Sequence, residues 1–456
     1  MVNTLSQHFT FKKLIKFVYP AVIMMVFTSI YGVVDGIFVS NFAGETAFAA
    51  VNLIMPVLMG FASFGFMIGA GGSALISKTL GEGDTQKARK IFSMLVYATV
   101  ILGAVMTAVG ILVLRPLAIL LKAEKEGILN ECLLYGFVNM CGITLFMLQN
   151  VFQSFFALAE KPKLGLLVIV CAGVTNAVLD AVLIAGFKMG LLGAALATVT
   201  GQAVGAITPI FYFTFNRRGI LFLGKPLLKI KPFLKTCANG SSEMMTQLSL
   251  SLVNILYNYQ LMSFAGKSGV SAYGVIMYVS FIFCSIFIGY SVGVTPIIGY
   301  NYGAGNRREL NNVLKKSLII IGVCSAAMFA LAIACNYPLP YIFVGDNPEL
   351  FAMTRRGFYI SACIFAVMGF NIFGSAFFTA LNNGLISAVI SFLRTLLFQV
   401  ICVMTLPLIW GLDGVWAANV FAELLAIAVT FTLFMCHRKK YGYFIKNSEL
   451  RMKNEE

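Results

Sequence analysis

Four side chains carry most of the chemistry that this sequence can offer, and three of them interrupt otherwise apolar runs. Asp35 lies in "YGVVDGIFVS", residues 31–40; Asn176 and Asp180 lie in "VTNAVLDAVL"; Thr198 lies in "LATVTGQ". Asn176 and Asp180 are four residues apart, which puts both on one face of a helix. A carboxylate at the centre of a lipid bilayer costs about 2.5–3.5 kcal/mol on insertion scales, so an acid there marks a functional position by default. Two carboxylates, an amide oxygen and a hydroxyl could form a hard oxygen cage for an alkali cation such as Na+, or a site that takes up and releases a proton. Thr198 has a blander alternative, a hydrogen bond to its own helix backbone.

Other polar residues fall into two further groups. Thr28 and Tyr31 precede Asp35 by seven and four residues and share its helix face, while Gly32 and Gly36 flank the acid and Pro20 opens the same run. Those glycines suit either a hinge or a close helix contact. Asn254, Tyr257, Asn258 and Tyr259 make a polar and aromatic patch that could hold flat organic cations by dispersion and cation–π contact. Arg394 in "SFLRTLLF" and Glu423 in "NVFAELLA" are expected to neutralise each other as a buried ion pair. Glu243 is expected near a helix start, where the helix dipole favours an acid.

The elements that must position these residues are membrane spans. The 456 residues are 59% hydrophobic and 11% charged, against roughly 25% charged in soluble domains. Apolar runs long enough to cross a bilayer occur at 14–40, 47–77, 91–114, 129–158, 164–187, 190–215, 236–264, 270–300, 313–335, 352–380, 385–409 and 412–436. The fold class read from them is an all-α membrane protein with twelve transmembrane helices. The first run is too long for a signal peptide and ends without a cleavage pattern. The net charge of +15 is one-sided. Lys12, Lys13, Lys16, Lys78, Lys87, Arg89, Lys90, Lys161, Lys163, the segment from Arg217 to Lys235, Arg307, Arg308, Lys315, Lys316 and the cluster from Arg438 to Lys453 fall on one side. Arg115, Lys122, Lys125, Lys188, Lys267, Arg355 and Arg356 fall on the other. By the positive-inside rule both termini are expected in the cytoplasm of a multi-pass protein of the cell membrane. The basic charge therefore reports orientation and lipid contact, and no nucleic-acid partner is expected. The ten cysteines show no paired spacing outside the spans and read as small buried hydrophobes.

A duplication organises the chain. "GEGD" at 81–84 recurs as "GAGN" at 303–306, an offset of 222 (303 less 81), and Phe155-Phe156 fall on Phe377-Phe378 at the same offset. "GLLGAALA" from Gly190 falls on "GLDGVWAA" from Gly411. Six spans are an even number, so two six-helix lobes enter the membrane alike and are expected to be related by a pseudo-two-fold axis along the membrane normal. The lobes are expected at 1–216 and 233–456, joined by a cytoplasmic linker at 217–232.

Pro20 followed by "VVDGIFVSNFAG", the "GEGD" turn, "YNYGAGN" at 300–306 and the six-plus-six repeat resemble the multidrug and toxic compound extrusion (MATE) transporters over nearly the whole chain. The resemblance implies a V-shaped pair of lobes exporting small amphipathic, often cationic compounds in antiport with Na+ or H+, as a monomer and without a bound cofactor. It assigns the coupling ion to Asp35, Asn176, Asp180 and Thr198. From their helix faces, Thr28, Tyr31, Asn254 and Asn258 are the residues expected to contact the exported compound. A second branch of the family has a glutamate deeper in span seven and an aspartate in span ten, where this chain has Gln247 or Leu248 and Asn371. Rival readings are a flippase for lipids or lipid-linked sugars and, further off, an integral-membrane enzyme. A flippase needs a basic cavity, and Arg394 alone is clearly inside the membrane. Against an enzyme, His8 and His437 lie at opposite ends of the chain, no acid or histidine cluster has metal-ligand spacing, and no "GxxxxGK[ST]" occurs.

Overall fold

The structure, a computed structural model, describes residues 4–444 apart from 122, 125, 126 and 346. Lys122, Lys125 and the basic tail beyond Phe444 lie outside the described residues. Twelve long helices account for the described bundle. They are α1 (Phe11–Phe38), α2 (Glu45–Gly81), α3 (Thr85–Leu120), α4 (Leu129–Leu158), α5 (Pro162–Gly186) and α6 (Gly190–Phe215). The second six are α7 (230–265), α8 (Ser268–Gly303), α9 (Arg307–Ala334), α10 (Pro348–Ala366 with Met368–Ala380, bent by 40°), α11 (Gly384–Trp410) and α12 (Leu412–Tyr441). Each of the twelve apolar runs supplies most of one helix. The helices often extend past the runs, because an amphipathic start such as "TQKARK" continues α3 beyond the hydrocarbon layer.

Ten of these helices, or eleven with the bent α10, are long and apolar enough to span a membrane among the described residues. The remaining one is α7, whose Glu243, Thr246, Gln247 and Asn254 border a cavity rather than lipid. Between α7 and α8 the chain reverses at Gly266 (φ 59°, ψ −149°), a conformation that a β-carbon disfavours. The two helices fold back on each other, with Tyr257 stacked on Tyr273 at 5.1 Å between ring centres. On the outer surface the usual soluble pattern is inverted: Leu112, Phe187, Leu385 and Leu408 are exposed, as a lipid-facing shell requires. Cys141, Cys171, Cys363 and Cys436 are exposed as well, so these thiols are surface groups and not the buried hydrophobes expected of them.

The duplication is visible atom by atom. Gly83 and Gly305 both have positive φ (88° and 68°), and the next residue in each turn caps a helix. Asp84 Oδ1 accepts from Lys87 N at 2.9 Å, and Asn306 Oδ1 accepts from Glu309 N at 3.1 Å. The aromatic cores match too. Phe155 packs on Phe92 with Phe213 beyond it, and Phe377 packs on Phe434 and Tyr443.

The lobes meet through glycines at the side of the bundle that carries the termini. A methyl group at Gly81 would collide with the carbonyl oxygen of Tyr300, and one at Gly303 with that of Lys78. Lys78 and Tyr300 are themselves repeat mates, so α2 and α8 cross on the pseudo-two-fold axis. Flanking contacts repeat likewise. Gly71 of α2 lies against Thr236 of α7, and Gly240 of α7 lies against Met67 of α2. Across the axis, Gly289 and Gly293 of α8 lie against Val22 and Val18 of α1. A strap reinforces this seal. Leu5 N donates to Glu160 Oε1 at 3.1 Å in the first lobe, while Phe9 N donates to Glu309 Oε1 at 2.9 Å in the second. His8 Nδ1 lies 2.7 Å from Glu309 Oε2.

Gly303→Ala is expected to cost roughly 1–3 kcal/mol, the range for overpacking a close contact, read as a lower Tm in detergent. It should also speed alkylation of a cysteine placed at Ser77, which is buried in the seal. Gly274→Ala, with no atom near enough to clash, should change neither.

Candidate functional site

Two close helix contacts assemble the acidic site. Gly173 of α5 admits Phe27 and Tyr31 of α1, and Gly201 of α6 admits Ala172 and Asn176 of α5. Asp35 and Asp180 are thereby buried, 9% and 0% exposed. Their carboxyl groups are close enough to interact electrostatically, with the Asn176 side chain beside Asp35. Among the described residues, Asp35 Oδ1 and both oxygens of Asp180 have no hydrogen-bond donor. Buried acceptors left in that condition are rare and call for a proton or a cation. Local geometry adds to this: α-helical hydrogen bonding stops at Asp180 and the next six residues, Ala181–Gly186, form a π-helical turn. Such turns concentrate at functional positions.

Thr198 is next to this group, but its hydroxyl donates to Ala194 O at 3.0 Å, the blander arrangement expected of it. The residue still borders the cavity described below. Residues of α4 that the sequence reading passed over stand closer to the chemistry. The Tyr135 hydroxyl is buried without a hydrogen-bond partner, beside Asn139, Thr198 and both acids. Gln149 lies beside Tyr31, and its Oε1 and that of Gln202 are further buried acceptors without donors. The available signal was the polar run "LQNVFQ" within an apolar span. Oxygen donors of this kind match a hard monovalent cation or a proton. Gly32 and Gly36 have no tight neighbour: the nearest atom to a methyl at Gly36 is 3.9 Å away, and Gly32 has none within 4 Å. Close helix contact is thus excluded as their role.

Between the lobes, beyond the glycine seal, lies a cavity of about 490 Å³. Thr28, Tyr31 and Asp35 line it from α1 and Asn254 from α7, together with Met59, Phe146, Met277 and Phe281. Asn258 does not: it is exposed on the outer side of α7. At 3.6 residues per turn it lies about 80° around the helix from Leu250, which faces the cavity. Tyr257 takes the inward place instead, donating to Gln399 Oε1 at 3.1 Å. Tyr273 donates to Asn254 Oδ1 at 3.2 Å.

The second lobe has the expected ion pair. Arg394 Nε donates to Glu423 Oε1 at 2.7 Å, with the side chains 11% and 3% exposed. Asn371 Nδ2 donates to Glu423 Oε2 at 2.7 Å, and Thr430 Oγ1 donates to Asn371 Oδ1 at 3.0 Å. Arg394 sits in another π-helical turn, Leu393–Leu397. Glu243 departs from expectation. Its helix begins at Ile230, more than three turns earlier, so the dipole of a helix start does not reach it. It faces the cavity.

Arg394→Met alone should cost about 3–5 kcal/mol, because it leaves a buried carboxylate unpaired. Adding Glu423→Gln should recover most of that loss. Comparison of Tm among the wild type, the two single variants and the double variant reads the coupling; additive losses would separate the two groups.

Three comparisons bear on this architecture. A family model described as MatE matches residues 20–182 and again 243–404, the two repeats in turn. The multidrug export protein MepA of Staphylococcus haemolyticus is 22% identical over 427 residues, covering 93% of each chain. MepA of Staphylococcus aureus is 23% identical over 433 residues, covering 93% of this chain and 94% of its own. Among solved structures, an outward-facing conformation of a multidrug resistance MATE family transporter of the MOP superfamily superimposes with a TM-score of 0.89 at 22% identity, over 96% of this chain and 98% of that one. With both repeats matched in order and the fold shared end to end, the chain belongs to the MatE family.

Proposed function

We propose that this protein exports small amphipathic organic cations across the cell membrane as a monomeric secondary transporter, in exchange for inward-moving Na+ or H+. The observation that carries the reading is the pair Asp35 and Asp180, buried with acceptor oxygens unsatisfied, with Asp35 in the wall of a cavity between the two lobes. The names of the relatives, multidrug export proteins, support the same activity. By the positive-inside rule the side carrying the termini is cytoplasmic, so the glycine seal closes the cavity to the cytoplasm.

One helix joins the acidic site to that seal. α1 bears Val18 and Val22 against α8, then Thr28, Tyr31 and Asp35 in the cavity wall. A cation or proton arriving at Asp35 removes a charge from this helix near Gly32 and Gly36, where open space permits bending. The shape of α1 then changes the fit at Gly289 and Gly293. Linkage sets the scale: each tenfold difference in affinity between the two lobe arrangements supplies about 1.4 kcal/mol. Each inward charge gains about 2.3 kcal/mol per 100 mV of membrane potential. The flippase reading is disfavoured because Arg394, the basic side chain among the described cavity-lining residues, is already held by Glu423.

Proteoliposomes under separately imposed Na+ and H+ gradients are expected to move ethidium with at least one of them. Asp35→Asn and Asp180→Asn should each slow that movement at least tenfold while the protein stays folded. Wild-type protein that moves no ethidium under either gradient would overturn the proposal in favour of lipid flipping.

A further inference from the structure

Glu243 is a charged group for which the ion-coupling site has no use. It lies on α7, in the lobe opposite Asp35 and Asp180, and borders the shared cavity while half-buried. Among the described residues its carboxylate makes no hydrogen bond and no ion pair. Arg394 lies close enough to be felt electrostatically, yet its Nε is held by Glu423, whose other oxygen is held by Asn371. Arg394 and Glu423 therefore cancel, and Glu243 leaves the second-lobe wall with one uncompensated negative charge. A half-buried acid without a partner in a cavity wall within the membrane is costly to keep charged and is stabilised when a cation comes to it.

We infer that Glu243 is the anchor for the positively charged centre of the exported compound, separate from the carboxylates that take the coupling ion. The position suits the task. Glu243 is three residues, just under one helical turn, from Gly240, where α7 presses on α2 in the seal, so it stands at the floor of the cavity. Thr246 and Gln247 continue the same face and offer neutral polar contacts. Met277, Phe281 and Met368 supply polarisable surface for a flat or bulky apolar body. With anchor and coupling ion on different lobes, the two cations need not compete for one pair of oxygens. Each can act on the lobe arrangement from its own side of the cleft. The compound's charge next to the seal would then favour the arrangement in which that seal is made or broken.

The inference rests on the export reading above, and the test separates the two. Purified protein is titrated with tetraphenylphosphonium and with the isosteric anion tetraphenylborate, and ethidium transport is followed under the same driving gradient. Wild-type protein should prefer the phosphonium. Glu243→Gln should weaken phosphonium binding at least tenfold and raise the KM for ethidium, while borate binding and the dependence on the driving ion stay as in the wild type. Gln247→Glu in the Glu243→Gln background moves the carboxylate one turn along the same face and should restore at least a third of the lost affinity. Wild-type protein that binds no phosphonium sinks the export reading. Wild-type protein that binds it as tightly as Glu243→Gln sinks this inference alone, as does failure of the restoring substitution. Should Glu243→Gln fail to accumulate, Gln247→Glu in the wild-type background decides: a second carboxylate on this face should tighten phosphonium binding severalfold, and unchanged binding would overturn the anchor.

Discussion

Backbone can meet backbone across the lobe boundary only where side chains are missing, and that constraint governs the rest of the molecule. Gly71, Gly81, Gly240 and Gly303 allow α2 to lie directly against α7 and α8, with no room for a methyl group between them. Contacts of this kind have two discrete arrangements, closed or apart, because a close-packed surface does not stretch by fractions of an ångström. Since the four glycines occupy the termini side, the lobes are joined there and separated further along, and the cavity follows from that wedge. Its walls must then be built from whatever the diverging helices present. This explains the polar composition of α7, which is the price of facing water or a ligand instead of lipid.

The duplication explains why the seal has its particular form. Repeat mates Lys78 and Tyr300 accept each other's glycine, as identical surfaces do across a two-fold axis. The chemistry, in contrast, has diverged. The first lobe holds two carboxylates without donors, whereas the second holds a carboxylate saturated by Arg394 and Asn371. In the second lobe a guanidinium occupies the place that a mobile cation could otherwise take. One lobe thus leaves its carboxylates without a counter-charge, while the other has its counter-charge built in. π-helical turns occur beside the key charge in both, at Ala181–Gly186 and Leu393–Leu397, which suggests a shared need to turn a polar side chain inward from a spanning helix.

Much of this was legible in the sequence, for identifiable reasons. Twelve apolar runs predicted twelve helices because a bilayer imposes a length, and the "GEGD" and "GAGN" turns predicted their own geometry because positive φ and an N-cap need those residue types. Asp35, Asn176 and Asp180 stood out because polar groups in apolar helices are expensive, and the structure buries all three; Arg394 and Glu423 stood out because opposite charges in lipid seek each other, and they pair. Residues whose types are unremarkable were missed. Tyr135 and Gln149 differ from any interfacial tyrosine or packed glutamine only by what lies opposite them, and sequence spacing within α4 says nothing of α1 or α5. Asn258 failed for a related reason: it is four residues from Asn254, but an arc of about 40° was enough to carry it past the cavity edge. Glu243 was misjudged because the apolar run begins several residues after its helix does, which made a cavity residue look like a helix-start residue.

The two lobes together make a cavity whose charge is set by three separate decisions about compensation. Asp35 and Asp180 share each other's company and Asn176, and remain short of donors. Arg394 and Glu423 are closed off as a pair. Glu243 is left without a partner. The rest of the lining includes methionine, phenylalanine, tyrosine, glutamine and small polar groups, a surface suited to apolar bodies of many shapes, since dispersion is indifferent to outline. If the exported compounds are cations, as proposed, discrimination by sign in such a space falls to Glu243, because a carboxylate without a counter-ion separates cations from anions more strongly than any arrangement of methyl groups separates shapes. On that proposal breadth toward structure and strictness toward charge would have different physical sources in this fold, and substitutions among the cavity methionines should alter the first without touching the second.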